Sequence, residues 1–319
     1  MKLKLMLSAL LACASLGHVQ ADIGIQKATA TYIIDDYAKT KYPIVFVHGM
    51  YGFNRLGSAT FGLDYWYQIL PDLAKHGATA FASQISPLHS NEVRGEQLLS
   101  QIEEVIAITG QPKVNLIGHS QGGPTARYIL GTHPELLASI ATVAGVHGGS
   151  PVADVFKDMP VMNSLIPVVM DALATPVINF SQQTHLPTDF NASLYSMSKT
   201  GYQEYNAKFP LGLPTQACSD GPAQVNGIAL YSWVGMANTT NLLDPDTLLT
   251  ALGPVVFDGQ PNDGLVSRCS SKFGKTIRDD YAWNHFDEVN QVLGMKGLFA
   301  QDPVDIFRQH ANRLKLQGL

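Results

Sequence analysis

Apolar residues in this chain fall into short unbroken runs separated by stretches of helical period. Residues 42–47 (Y-P-I-V-F-V) run without a polar break into His48-Gly49-Met50, and residues 78–85 form a second candidate strand. Between them, residues 51–67 are rich in glycine and aromatics and carry no clear period. Ser90 or Asn91 can cap a helix whose Leu98, Leu99, Ile102, Val105 and Ile106 share one face, with Gly110 and Pro112 ending it. Residues 114–117 lead into Gly118, a helix-compatible stretch covers 124–130, and residues 140–146 read as another strand, closed by H-G-G-S-P. Residues 225–234 (V-N-G-I-A-L-Y-S-W-V) predict one later strand near the far side of the sheet. Ile306, Phe307, Ala311 and Leu314 mark an amphipathic C-terminal helix, on which His310 is expected to face solvent. Runs without polar interruption suit strands covered on both faces. Their alternation with helices predicts an α/β chain built on a doubly wound, mainly parallel sheet.

One region departs from this pattern. From Val152 to Leu173 the apolar positions are too dense for the narrow stripe of a surface helix. They fit either ordinary core helices or a helical lid whose apolar face covers a site in water and opens at a lipid surface. The position of the segment favours a lid over about residues 151–190.

The 319 residues, 45% hydrophobic and 15% charged, suit a globular chain with a sizeable core, and no basic block suggests nucleic acid. At the N-terminus, Lys2 and Lys4 precede an apolar run over 5–12 and then Val19-Gln20-Ala21, the pattern of a signal peptide spanning 1–21. The run is short of the roughly 20 apolar residues a membrane span needs. Cleavage after Ala21 leaves a single domain over 22–319 and takes the formal charge from −5 to −7. The expectation is a monomer secreted by way of the periplasm; a lipoprotein cut before Cys13 is the alternative. If Cys13 is lost, Cys218 and Cys269 have one possible pairing, against two buried free thiols.

The chemistry centres on Gly118-His119-Ser120-Gln121-Gly122. A strand arriving and a helix leaving is the context of a G-x-S-x-G nucleophile elbow, in which a sharp turn lifts the serine out of the sheet. The N–H of Gln121 then lies at a helix N-terminus, suited to an oxyanion, and the N–H of Met50, after the first long strand, is the second donor. Because backbone groups act there, the side chains at 50 and 121 are expected to be replaceable at moderate loss. In this fold's order an acid and then a histidine follow the nucleophile. His185 lies in a polar loop, so His285, within Y-A-W-N-H-F-D, is the candidate base. Asp263, in N-D-G-L-V, is the candidate orienting acid, with Asp244, Asp246, Asp258 and Asp280 competing. His48 is the alternative base, disfavoured because it lies far ahead of the nucleophile.

With P-I-V-F-V-H-G at 43–49, N-L-I-G-H-S-Q-G-G at 115–123, N-D-G-L-V at 262–266 and R-D-D-Y-A-W-N-H-F-D-E-V-N-Q at 278–291, the chain resembles the secreted bacterial true lipases of the Pseudomonas–Burkholderia type. The resemblance covers nearly the whole mature chain and implies an α/β-hydrolase fold with a helical lid and triacylglycerol lipase activity. It places the triad on Ser120, Asp263 and His285, and the oxyanion donors on Met50 and Gln121, a position where many members have histidine. It also implies one structural Ca²⁺, on the carboxylates of Asp244 and Asp287 and the carbonyls of Gln291 and Met295, all oxygen donors as a hard cation requires. A Cys218–Cys269 disulfide and a lipase-specific foldase as partner are implied as well. The rival readings are a soluble-ester esterase or polyester depolymerase on the same scaffold, and a catalytically dead hydrolase fold used as a secreted binding protein.

Overall fold

The computed structural model describes residues 24–57, 62–158, 185–241, 243–244, 246–251 and 253–319. The expected signal peptide, Cys13 and most of the expected lid lie outside the described residues. Ten strands are described: β1 (Gln26–Lys27), β2 (Ile44–Val47), β3 (Arg55–Gly57), β4 (Gly62–Asp64), β5 (Ala80–Ala82), β6 (Val114–His119), β7 (Leu137–Val143), β8 (Gln224–Val225), β9 (Ile228–Gly235) and β10 (Lys275–Tyr281). The helices are α1 (Ile69–Lys75), α2 (Asn91–Thr109), α3 (Gly122–Thr132), α4 (Pro151–Asp158), α5 (Phe190–Met197), α6 (Lys199–Lys208), α7 (Thr247–Thr250), α8 (Gly253–Val256) and α9 (Pro303–Leu316).

The main sheet runs β1-β5-β2-β6-β7-β9-β10, parallel throughout except for β1 at one edge and β8, which folds back on β9. Alternate residues of each strand point to opposite faces. Ile44 and Phe46 of β2 therefore join α1 and α9 in one core, with Trp66, Trp233, Phe307 and Leu314. Val45 and Val47 join Leu98, Ile102 and Val105 of α2 and Ile129 of α3 in the other. Burial on both faces is why these strands carry no polar alternation.

From β2 the chain crosses to β5 on one side and then to β6 on the other, so the winding reverses between β2 and β6. In open α/β sheets, the crevice beyond the carboxyl ends of the strands at such a reversal is where ligands bind. The loops leaving those two ends are His48-Gly49-Met50 and the turn at Ser120.

Several expectations change in detail. Residues 225–234 are not one strand: Asn226 and Gly227, both at positive φ (52° and 77°), turn the chain between β8 and β9, as an Asn-Gly pair does in a tight hairpin. The irregular 51–67 stretch contains the antiparallel β3–β4 pair. Strand β10 went unforeseen, because its K-T-I-R-D-D-Y sequence is that of a half-exposed edge. His310 does not face solvent. It is buried against Tyr231 and Trp233 and bonded to Arg313.

Candidate active site

The turn at Ser120 is built by close backbone packing. Ser120 has φ 55°, a left-handed conformation that a non-glycine residue adopts only under constraint. Its N–H donates to the Val143 carbonyl at the end of β7, and its carbonyl accepts from the N–H groups of Gly123 and Val146. A Cβ on Gly118 would lie 2.3 Å from the Gly122 carbonyl oxygen, and one on Gly122 would lie 2.2 Å from that of Val47. Only glycines let the strand, turn and helix come this close. Gln121 caps α3, whose first N–H groups have no intrahelical acceptor.

Asp263 is fully buried after α8. Its Oδ1 accepts from the N–H groups of Leu265 (2.9 Å) and Val266 (2.7 Å), and its Oδ2 meets His285 Nδ1 at 2.7 Å. The His285 N–H also donates to the Asp263 carbonyl, so backbone and side chain hold the same pair of loops together. With Nδ1–H donating to the carboxylate, Nε2 of the neutral ring carries the lone pair that a base needs. Of the competing acids, the structure brings Asp263 to the histidine, while Asp244 and Asp246 lie in a separate carboxylate group.

Glu288 was missed at the sequence level. It is fully buried, accepts from the Gly235 N–H, and has a carboxyl oxygen within 4.8 Å of a ring nitrogen of both His119 and His285. Burial, with the Asp263 charge beside it, pushes its pKa well above the usual carboxylate range.

On the loop after β2, the amides flanking Met50 are both engaged. Gly49 N–H donates to Tyr65 Oη and Tyr51 N–H to the Pro87 carbonyl. His48 is buried beneath this loop, with Nδ1 on the Gly49 carbonyl and Nε2 facing the Ile85 N–H. Burial and nearby Arg94 lower its pKa to about 3, leaving a neutral structural ring. The Gln121 side chain, expected to be replaceable at moderate loss, is engaged at both ends of its amide. It is buried, donating to the His89 carbonyl and accepting from Ser193 Oγ of α5. Met50 packs with Phe156, Phe190 and Leu265 against an apolar cluster of Val146, Ala153, Leu194, Met197 and Val266.

A second polar group lies beside the His285 loop. Carboxylate oxygens of Asp244, Asp246 and Asp287 lie within 4.8 Å of one another, and all three residues are buried. Among the described residues, Asp244 Oδ2, Asp246 Oδ2 and Asp287 Oδ1 have no hydrogen-bond partner. Three buried oxygens left without a proton donor, all hard ligands, fit a calcium ion. Burial raises the pKa of all three, Asp287 to about 7, and mutual repulsion adds to this for Asp246 and Asp287. Asp246, by sequence a rival for the catalytic acid, belongs to this group instead; its place two residues after Asp244 is the signal that points here. Gln291 and Met295 follow Asp287 in the same loop, their N–H groups on the carbonyls of Phe286 and Val292. Cys218 and Cys269 are joined in a disulfide, closing a loop that contains Asp244, Asp246 and Asp263.

The comparisons with known proteins agree with this architecture. The model of the alpha/beta hydrolase fold family matches residues 42–289. A triacylglycerol lipase of Vibrio cholerae is 46% identical over 288 residues, covering 89% of this chain and 90% of its own. One from Burkholderia plantarii is 39% identical over 340 residues, covering 94% and 93%. A solved lipase from Bacillus licheniformis in mature form, 18% identical, superposes with a TM-score of 0.60 over 90% of this chain and 97% of its own, a likeness of fold. With its family model, its curated relatives and its switch-point serine in accord, the chain belongs to the α/β-hydrolase family, among the bacterial true lipases.

Proposed function

We propose that the chain hydrolyses the carboxylic esters of triacylglycerols. The observation that carries this is the buried His285–Asp263 pair, whose His285 carbonyl accepts from the ring of His119, the residue just before the left-handed Ser120 turn, in a chain 46% identical to a protein named triacylglycerol lipase. Ser120 Oγ attacks the ester carbonyl and His285 Nε2 takes its proton, later returning it to the leaving alcohol. Asp263 fixes the tautomer and stabilises the imidazolium. The Met50 and Gln121 N–H groups hold the oxyanion, and water then releases the acyl group from Ser120. The apolar cluster around Met50, Phe190, Leu194 and Val266 suits an acyl chain better than a polar substrate.

Asp244, Asp246 and Asp287 would hold a structural Ca²⁺, with the Gln291 and Met295 carbonyls completing the set. Its two positive charges would offset most of the charge of the three buried carboxylates and tie down the loop that carries His285, two residues before Asp287. Export by the N-terminal signal, a foldase partner and a monomeric state belong to the same reading, supported by the Lys2–Ala21 pattern and the family resemblance.

The test compares hydrolysis of emulsified long-chain triglyceride with that of a soluble short-chain ester, by the wild type and by Ser120→Ala. Activity should rise once substrate exceeds its solubility limit, and Ser120→Ala should lose about 10⁴-fold or more. A variant that kept most of its activity would end the assignment.

A further inference from the structure

Gly49, Tyr65, His119 and His285 come from four separate stretches of chain, yet one line of hydrogen bonds joins them. Gly49 N lies 3.0 Å from Tyr65 Oη, Tyr65 Oη lies 2.6 Å from His119 Nδ1, and His119 Nε2 lies 3.0 Å from the His285 carbonyl oxygen. The polarity of each link is forced. The Gly49 N–H can only donate, so Tyr65 Oη accepts there; the His285 carbonyl can only accept, so His119 Nδ1 is left as the acceptor of the Tyr65 proton. The neutral His119 ring then bears its proton on Nε2, which donates to a carbonyl that can only accept. Every donor finds an acceptor, in one direction, from the loop after β2 to the loop after β10.

The groups at each end are the ones the proposed chemistry uses. Gly49 shares a peptide bond with Met50, whose N–H is the oxyanion donor. His119 precedes Ser120, and the far carbonyl is that of the base itself. We propose that Tyr65 and His119 are positioning residues, a buried relay that holds the oxyanion donor, the nucleophile and the base in one mutual register. This rests on the reading of Ser120 and His285 as nucleophile and base.

Neither residue is a spare polar group of the core. Tyr65 and His119 are buried (5% and 1% exposed), and the His119 ring lies 4.6 Å from that of His285, centroid to centroid. Tyr65 is clamped edge-on by Phe53 and by Trp66, so its ring keeps its place if the hydroxyl is removed. Burial keeps Tyr65 a hydroxyl and His119 an uncharged ring, the protonation states that the relay's direction requires. Neither sits on the path of the proton from Ser120 to the leaving alcohol. Their effect is on geometry.

The experiment uses Tyr65→Phe, His119→Phe and the double variant, each measured for kcat and KM on a soluble p-nitrophenyl ester, for affinity to a boronic acid that mimics the tetrahedral intermediate, and for Tm. Loosening one oxyanion donor should lower kcat of Tyr65→Phe by about 10- to 100-fold, with boronate affinity falling in parallel and KM moving by less than about 2-fold. The double variant should be no slower than the slower single variant, because both changes cut the same relay. Unchanged kcat in folded Tyr65→Phe, a loss confined to Tm, or effects that multiply in the double variant would each overturn the proposal. Ser120→Ala, run alongside, separates the two readings. If it stays active the catalytic assignment fails; if it is dead while Tyr65→Phe is unimpaired, the relay alone fails.

Discussion

Opening the Cys218–Cys269 bridge is the perturbation whose size can be worked out most directly. The two cysteines are 51 residues apart, so the bridge removes from the unfolded chain the freedom of a loop of that length. The chain-entropy relation puts this at about 14 cal/mol/K, or about 4 kcal/mol at 25 °C. At about 2.1 cal/mol/K of unfolding entropy per residue, 1 kcal/mol moves the Tm of a domain this long by about 1.6 °C, so a Cys218→Ser/Cys269→Ser variant should unfold about 6–7 °C below the wild type. Both cysteines are exposed, so a reductant reaches the native bridge and should bring wild-type Tm down to that of the variant. Scanning calorimetry at saturating calcium, with and without reductant, measures both. Since the bridge itself does not touch Ser120 or His285, kcat at 25 °C should stay within about 2-fold of wild type, the loss appearing as stability. A drop of under about 3 °C, or a variant that still responds to reductant, would refute the reasoning.

Three other outcomes follow from the buried carboxyls and the packed turn. Asp287, raised to about 7 by burial, ionises first in the unfolded chain, so calcium-free stability falls as pH climbs from about 4 through 7. A calcium ion held there would bind the ionised form, and the Tm gap between calcium-loaded and chelated protein should therefore widen from pH 5 to pH 8; a constant gap would count against the site. Glu288, held protonated well above 4.5, destabilises the fold increasingly as pH rises past that value, whereas an amide does not titrate. The Tm of Glu288→Gln minus that of wild type should thus grow from pH 5 to pH 8, and an equal loss at both would exclude a protonated carboxyl. Gly122→Ala puts a Cβ 2.2 Å from the Val47 carbonyl oxygen, and should cost about 1–3 kcal/mol by urea titration and at least about 10-fold in kcat; wild-type kinetics would show the turn to be looser than described.

Features set by local pattern could be read from the chain directly. The apolar runs of β2, β6 and β7 and the capped face of α2 needed only neighbouring residues, and the elbow needed only five. Two misreadings were local too. His310 stands three residues after Phe307 and four before Leu314, on the apolar face of α9, and the Asn226-Gly227 pair is a hairpin signal inside an apolar run. What could not be read was the choice of polar partners. The Gln121 side chain is fixed by a carbonyl 32 residues upstream and a hydroxyl 72 residues downstream, and Tyr65 meets His119 across 54. Buried polar groups must be satisfied, but by whom is decided only when distant segments meet. Asp246 and Glu288 acquire their character in the same way, through neighbours that folding brings to them.

The outermost parallel strand, β10, has a further consequence. Among the described residues no strand pairs with its outer edge, the strand carries Lys275, Arg278, Asp279 and Asp280 in seven residues, and an incoming strand would have to strip water from these charges to pair with it. At the other border β1 is only two residues long, too short a template for accretion. A lipase that meets other copies of itself thus keeps its sheet from growing into theirs.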